Sequence, residues 1–241
     1  MINHWSAIGI YSQKELSQMI DLGLKYPSSQ FQDKKTGRTY LLTDNFAELW
    51  VHIDAKCAVP SFASSTIIKA KVTKWIENEN SCPYCAMLCV DVLDKETDYK
   101  LYPIAITFGN VALARQSVEI GKTINFHLAV FIESCQSWDS IESYKQQYPE
   151  RKLGLGWFIP LGPFSPLEKL KNNQPRAAFF GIVKEVQRKK NPWTNNYYQH
   201  LLLECADKTY ECVAEHEKLK NIFIGNLVYV ESWLCAKLIN T

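Results

Sequence analysis

Ile120-Gly121-Lys122-Thr123-Ile124-Asn125-Phe126 and Ile224-Gly225-Asn226-Leu227-Val228-Tyr229-Val230 can be laid over one another residue by residue, and that match decides how the chain is read. Each stretch turns at an Ile-Gly corner and then leads into a long apolar-rich closing strand. Upstream of each lie the same elements in the same order: a long apolar-rich strand, a loop, two further strands and a connector. Residues 67–134 and 177–239 therefore read as two copies of one small all-β pattern.

In the first copy, Ile68, Ala70, Val72 and Ile76 alternate with Lys69, Lys71, Thr73 and Trp75, a strand with one basic face. Ala86, Leu88, Val90 and Val92 form the next inward set. Tyr99–Thr107 gives a third strand, in which Pro103 predicts an edge or a bulge, and Ile124, Phe126, Leu128, Val130 and Ile132 close the unit. In the second copy the strand from Ala177 carries Gly181 at its middle, Tyr197–Ala206 and Thr209–Ala214 flank the Asp207-Lys208 turn, and Glu215–Asn221 suits a short helix. Leu227–Ile239 closes it, with a break expected near Cys235. From Ala177 onward this order resembles the oligonucleotide/oligosaccharide-binding (OB) fold, with Gly181 in the first strand and Gly225 before the closing strand as its cues; residues 67–134 follow it less closely. The resemblance implies a fold class: mainly β, two small OB-like β-barrels. That scaffold hosts many unrelated functions, so no catalytic or binding residue is carried over from it.

Four segments follow: an N-terminal αββ extension (1–58), the first barrel (59–136), a helix with a Pro/Gly-rich packed connector (137–175) and the second barrel (176–241). In the first, Ser12 and Glu15 stand at capping-box spacing, and Leu16, Met19, Ile20 and Leu24 then share one helical face until Pro27 stops it. Arg38–Thr43 and Glu48–Asp54 read as a hairpin turning through Asp44-Asn45. A short helix is expected over 137–148, with Trp138, Ile141 and Tyr148 on one face. The prolines and glycines from Pro149 to Pro175 argue against a regular element there. Trp157, Phe158, Ile159, Leu161 and Phe164 turn this connector into a belt packed across both barrels.

Hydrophobic residues at 46% and charged residues at 22% describe a globular chain, and a net charge of +2 is too mild to mark a whole-protein nucleic-acid or membrane binder. No stretch reaches the roughly 18 uninterrupted apolar residues of a membrane span. The opening Met1-Ile2-Asn3-His4-Trp5 lacks the pattern of an export signal, so the expectation is a cytoplasmic protein whose eight cysteines are reduced.

Three groups of residues could carry chemistry. Cys82-Pro83-Tyr84-Cys85 is similar to the glutaredoxin tetrapeptide, but no βαβ framework surrounds it. As a metal site Cys82 and Cys85 supply two thiolates of the four that zinc needs, and Cys89, Cys57 or His127 could join only through tertiary contact. The third group is a basic-aromatic loop between the first two strands of the second barrel. There Lys184, Arg188, Lys189 and Lys190 could meet phosphates, while Trp193, Tyr197 and Tyr198, with Tyr229 and Trp233 from the closing strand, could stack on bases. Glu185, Glu204 and Glu231 interrupt this surface. His200 and His216 have no partner at a recognisable spacing, and no nucleophile elbow, phosphate loop or HExxH motif appears. The expectation is a non-catalytic protein without cofactor, acting as a protein-interaction or assembly module on another protein or on itself, with no membrane partner. The alternative is a single-stranded nucleic-acid-binding protein working through residues 184–198.

Overall fold

The computed structural model describes residues 4–33, 37–44, 46–54, 57–76, 87–151, 156–161, 175–206 and 208–239. The fold is mainly β, in two sheets. A 3-10 turn (Ser6–Ile8) and helix α1 (Gln13–Lys25) precede β1 (Ser29–Asp33), β2 (Gly37–Thr43), β3 (Ala47–His52) and β4 (Cys57–Phe62). The first repeat comprises β5 (Ile67–Ile76), β6 (Met87–Leu93), β7 (Lys100–Phe108), α2 (Val111–Ser117) and β8 (Thr123–Trp138). Helix α3 (Ile141–Gln147) and the short strand β9 (Phe158–Pro160) connect it to the second repeat: β10 (Arg176–Lys190), β11 (Tyr197–Cys205), β12 (Lys208–Glu215), α4 (His216–Leu219) and β13 (Leu227–Leu238).

The repeat holds down to single hydrogen bonds. Gly121 N–H donates to Val72 O at 2.8 Å and Val72 N–H to Lys122 O at 2.9 Å; in the second copy Gly225 N–H donates to Val183 O at 2.8 Å and Val183 N–H to Asn226 O at 3.0 Å. Both glycines take a left-handed backbone, with φ of 86° and 90°, which explains why the two Ile-Gly corners match in sequence. A bulge follows the same valine in each copy, between Val72 and Lys74 and between Val183 and Glu185. Such a bulge bends the long first strand, so that β10 pairs with β13 through residue 182 and with β11 from there on.

The copies are not separate bodies: their strands belong to one nine-stranded sheet. β8 and β13 run antiparallel along nearly their whole length, from Leu227↔Trp138 to Leu238↔Phe126. The first half of β8 pairs with its own β5, and its second half meets β12 of the other copy in parallel register, Val130 opposite Cys212. β13 does the converse, pairing first with its own β10 and then with β7 of the first copy, Cys235 opposite Thr107. The ladder thus returns on itself twice, through β5-β6-β7-β13-β8 and through β10-β11-β12-β8-β13, and each circuit is closed by the other copy's last strand. β13 continues unbroken through Cys235; its irregularity lies earlier, between Glu231 and Ser232. One apolar cluster fills both circuits, from Leu88, Ile106 and Phe126 to Phe179, Leu203 and Leu234.

Ser12 and Glu15 form the expected capping box, Ser12 Oγ accepting from Glu15 N–H at 3.2 Å and Glu15 Oε2 from Ser12 N–H at 2.9 Å. The extension is larger than an αββ unit, because β1 and β4 flank the hairpin to make a four-stranded sheet. Polar Ser29–Asp33 carries no alternating signal. Cys57–Phe62 contains Pro60, which is tolerated because β4 is an edge strand, so residues from 59 that were assigned to the first barrel belong to this sheet. β3 is buried along its whole length. Trp50 on it lies against Gly109, where a Cβ would stand 2.6 Å from Trp50 Cδ1.

Across the connector, Trp138 ends β8 rather than beginning the helix, and its ring meets Tyr144 of α3 edge-on at 4.9 Å. The belt does hold a regular element, β9, antiparallel to β10. Phe158 stacks on Tyr102 of the first copy at 5.5 Å and on Phe179 and Tyr210 of the second at 5.3 and 5.1 Å, fixing the two copies against each other.

Candidate binding surface

Residues 191–196, the tip of the β10–β11 hairpin, are a docking loop for the chain's own N-terminal segment. Asn191 is fully buried, and its Oδ1 accepts from Trp193 N–H (2.9 Å) and Thr194 N–H (3.2 Å) in an Asx turn. Its Nδ2 donates to Ile8 O at 2.8 Å. Thr194 Oγ1 and Asn196 Nδ2 donate to Gly9 O at 2.7 and 3.1 Å, and Asn196 Nδ2 also reaches the capping carboxylate Glu15 Oε1 at 2.7 Å. Tyr11 Oη donates to Tyr197 O.

This seam is costly to open. Ile8 and Ile10 are buried in a second apolar cluster with Phe62, Phe131, Tyr198 and Val213. At about 1.5–3 kcal/mol for each buried isoleucine, exposing the pair costs a large part of the roughly 5–15 kcal/mol that holds a domain together. Gly9 is the tightest point: its φ is 79°, and a Cβ there would meet Asn191 Cβ at 2.9 Å. Gly9→Ala is expected to lower stability by about 1–3 kcal/mol, read as a lower urea midpoint at unchanged slope; an unchanged midpoint would show that the seam yields.

Most of the expected stacking aromatics are consumed by packing. Tyr198 is buried, which together with the charge of Asp44 pushes its hydroxyl pKa up. Trp193 packs into the N-terminal cluster. Trp233 lies under His4, the rings stacked at 4.4 Å and 12°, with the edge of Phe131 at 5.1 Å. His4 Nε2 hydrogen-bonds Glu133 Oε1 at 2.8 Å, and Arg176 bridges Glu133 at 2.5 Å and Glu231 at 3.7 Å. Burial alone would raise the Glu133 carboxyl, but His4 and Arg176 hold it below its ordinary value. Tyr229 leans on Phe180 at 5.0 Å, and Phe180 on Tyr144 of α3 at 5.5 Å. His4, Glu133 and Arg176 were not singled out in the sequence, because residues so far apart in the chain carry no local pattern.

The basic side chains fare differently. Lys184 is tied to Glu204 at 2.7 Å. Arg188 lies 3.6 Å from the centroid of Tyr197, Lys190 lies 6.0 Å from the same ring, and Lys189 lies 4.7 Å from the Phe46 ring. Of the nine residues expected to bind, Arg188, Lys189, Lys190 and the half-open Tyr197 remain as a surface. Acid lies close by: burial raises the Tyr11 hydroxyl, and Glu215, Glu217 and Glu15 raise it further.

The apolar surface lies elsewhere. Trp157, Ile159 and Leu161 are 67%, 44% and 43% exposed, while Phe158 and Pro160 between them face inward. Among the described residues β9 ends the sheet and pairs only with β10. In sequence 157–161 is an unbroken apolar run without alternation, so which side chains face outward was not legible there.

No arrangement for nucleophilic catalysis stands out among the described residues. Ser65 donates to Glu211, whose other oxygen lies 3.5 Å from His200 Nε2. The carboxylate sits in the middle, so the serine proton has no path to the imidazole, the reverse of a Ser-His-acid relay. Two shallow clefts of about 520 and 270 Å³ meet at Ser65. Of their polar side chains, Thr66 Oγ1 is engaged with Thr209 O at 3.2 Å and Lys237 with Glu48 at 2.6 Å, while the Nδ1 of His127, which lines the larger cleft, is buried without a hydrogen-bond partner. No group of three His, Cys, Asp or Glu is placed to hold a metal among the described residues, and Cys82 and Cys85 lie outside them. Cys89, Cys135, Cys205, Cys212 and Cys235 form no disulfide, and burial pushes Cys135 and Cys235 up to about 12. Cys57 is disulfide-bonded, which corrects the expectation that every thiol is reduced.

No helix is long and apolar enough to cross a membrane among the described residues. No family model matches the chain, and no curated protein is significantly similar to it in sequence.

Proposed function

We propose that the chain is a non-catalytic protein-interaction module, built from two OB-like barrels that exchange their closing strands, and that it assembles with a second copy of itself along the outer edge of β9. The observation that carries this is the stripe Trp157, Ile159 and Leu161, apolar and exposed on the last strand of the sheet. A strand with unpaired backbone groups and outward apolar side chains is a template for strand addition. Two copies related by a two-fold axis pair there antiparallel, each placing the same residues against the other. Sedimentation velocity from about 1 to 100 μM, a span suited to a modest interface, is expected to show a dimer that Ile159→Lys abolishes without altering the melt. A native chain that stays monomeric over that range overturns the reading.

A second reading has its own support. Arg188, Lys189 and Lys190 rest on aromatic rings, leaving their charge available to phosphates of a single-stranded nucleic acid, with Tyr197 as one stacking platform. Anisotropy with labelled oligonucleotides at low salt tests it: Arg188→Glu with Lys190→Glu should weaken binding more than tenfold and flatten its salt dependence. Absence of binding by the native chain removes this reading.

A further inference from the structure

The Ile-Gly alignment, carried along the closing strands, makes His127 on β8 the counterpart of Glu231 on β13, and Lys237 on β13 the counterpart of Glu133 on β8. The same place in the β8–β13 ladder thus occurs twice, with opposite charge. His127 stands directly opposite Lys237, and Glu231 lies beside the bulge that holds Glu133. At the acidic place the chain supplies its own counter-groups. His4 Nε2 hydrogen-bonds Glu133 at 2.8 Å, and Arg176 reaches Glu133 and Glu231 at 2.5 and 3.7 Å. At the basic place only Lys237 is met among the described residues, by Glu48 at 2.6 Å. His127 Nδ1 is buried without a partner, and the ring lines the cleft of about 520 Å³. Ser64, Ser65 and Lys237 share that lining on its polar side, and Ala63, Leu238 and Ile239 on its apolar side.

We propose that this cleft binds a small molecule carrying an oxyanion, a carboxylate or a phosphate, on a short apolar body. The oxyanion takes the place at His127 and Lys237 that corresponds to the one His4 and Arg176 fill at the acidic pair. A neutral imidazole carries one N–H and one lone pair. An enclosed N–H without an acceptor is rarer than an under-used acceptor, so the lone pair belongs on the buried Nδ1 and the proton on Nε2, the ring's donor to the cleft. Lys237 has three N–H donors, of which Glu48 takes one. Ser64 Oγ accepts from Thr66 N–H at 3.1 Å and keeps its own proton to give. The two carboxylates nearest these walls are already engaged, Glu48 with Lys237 and Glu211 with Ser65. The lining is therefore rich in donors, which suits an acceptor-rich head, while Ala63, Leu238 and Ile239 cover the body, the division of labour usual in ligand sites. The site is independent of the β9 and 184–198 surfaces, neither of which includes these residues.

The test is a long-range proton–nitrogen NMR spectrum of the full chain labelled with ¹⁵N-histidine, the His127 signals being assigned by their loss in His127→Phe. The native spectrum should show the Nε2–H form at His127, a reading that needs no variant. Hexanoate and hexyl phosphate should shift the Nε2 signal saturably, with Kd of order 1 mM for probes so small. Whichever of the two binds more tightly identifies the head group. Hexanol and inorganic phosphate, each lacking half of the ligand, should bind more weakly than either. Followed through backbone amide shifts, His127→Phe and Ser64→Ala should each weaken hexanoate binding about fivefold, the loss expected for one hydrogen bond. A native chain with the proton on Nδ1 overturns the proposal. So does hexanol binding as well as hexanoate, or no shift at His127 with any probe at about twenty times that Kd.

Discussion

Fragments 1–151 and 152–241, expressed separately, are expected to lack cooperative melting transitions, and mixed at equal concentration to recover the circular dichroism and melting behaviour of the intact chain. Without the second fragment, β7 loses its parallel neighbour Cys235–Ala236, and β8 loses the antiparallel partner that runs along nearly its whole length. Without the first, β12 loses Val130–Phe131 and β13 loses β8. The side chains removed from the shared core include Val228, Val230 and Leu234 on one side and Leu128, Val130 and Ile132 on the other. At about 1.5–3 kcal/mol per buried aliphatic side chain, three on either side approach or exceed the whole stability of a domain, before any ladder hydrogen bond is counted. A fragment that melted cooperatively as a monomer would mean that its circuit closes without the exchanged strand.

That exchange was not legible in the sequence, although both copies were. The Ile-Gly corners could be read because Gly121 and Gly225 answer a local demand, a left-handed backbone before a strand. The capping box at Ser12 and Glu15 is local as well. Which strand closes which circuit is a choice between partners some hundred residues apart in the chain, and alternation along β8 or β13 suits either. The length of β8 was hidden too: it runs to Trp138, well past the last apolar alternation at Ile132. The burial of most of the expected stacking aromatics was hidden for a related reason. Trp193, Tyr198 and Trp233 suit base stacking and core packing equally, since a flat ring with one polar atom serves both. What decides between them is the 3-10 turn at Ser6–Ile8, and its docking partners Asn191, Thr194 and Asn196 look in sequence like an ordinary polar turn. Rich aromatic content therefore measured packing more than binding in this chain.

His52 should make the N-terminal sheet acid-sensitive well above the range where carboxylates protonate. Its ring is fully buried on β3, with Nδ1 hydrogen-bonded to Thr39 Oγ1 at 3.0 Å. Burial disfavours the imidazolium and lowers the pKa to about 4 from an ordinary 6.5, the backbone of Gly109 offsetting part of the effect. Above about pH 6.5 the ring is neutral folded and unfolded, and contributes no pH dependence. Between about 6.5 and 4 the unfolded chain binds a proton that the folded chain refuses, so stability falls as pH falls, by about 1.4 kcal/mol per unit and about 3 kcal/mol over the window. Below about 4 the folded form protonates too and the slope from this group ends. Glu133 and Glu211, whose folded values lie below ordinary, lose their contribution only under more acid conditions, as pH falls through those lowered values. Urea unfolding of the native chain and of His52→Asn at several pH values between 7 and 4.5 separates these terms. The variant is expected to start less stable at pH 7, having lost the Thr39 contact as it stands, and the gap should close or invert towards pH 4.5. A gap that stays constant across the window would show that the folded protein accepts the proton at His52, and that water reaches the ring.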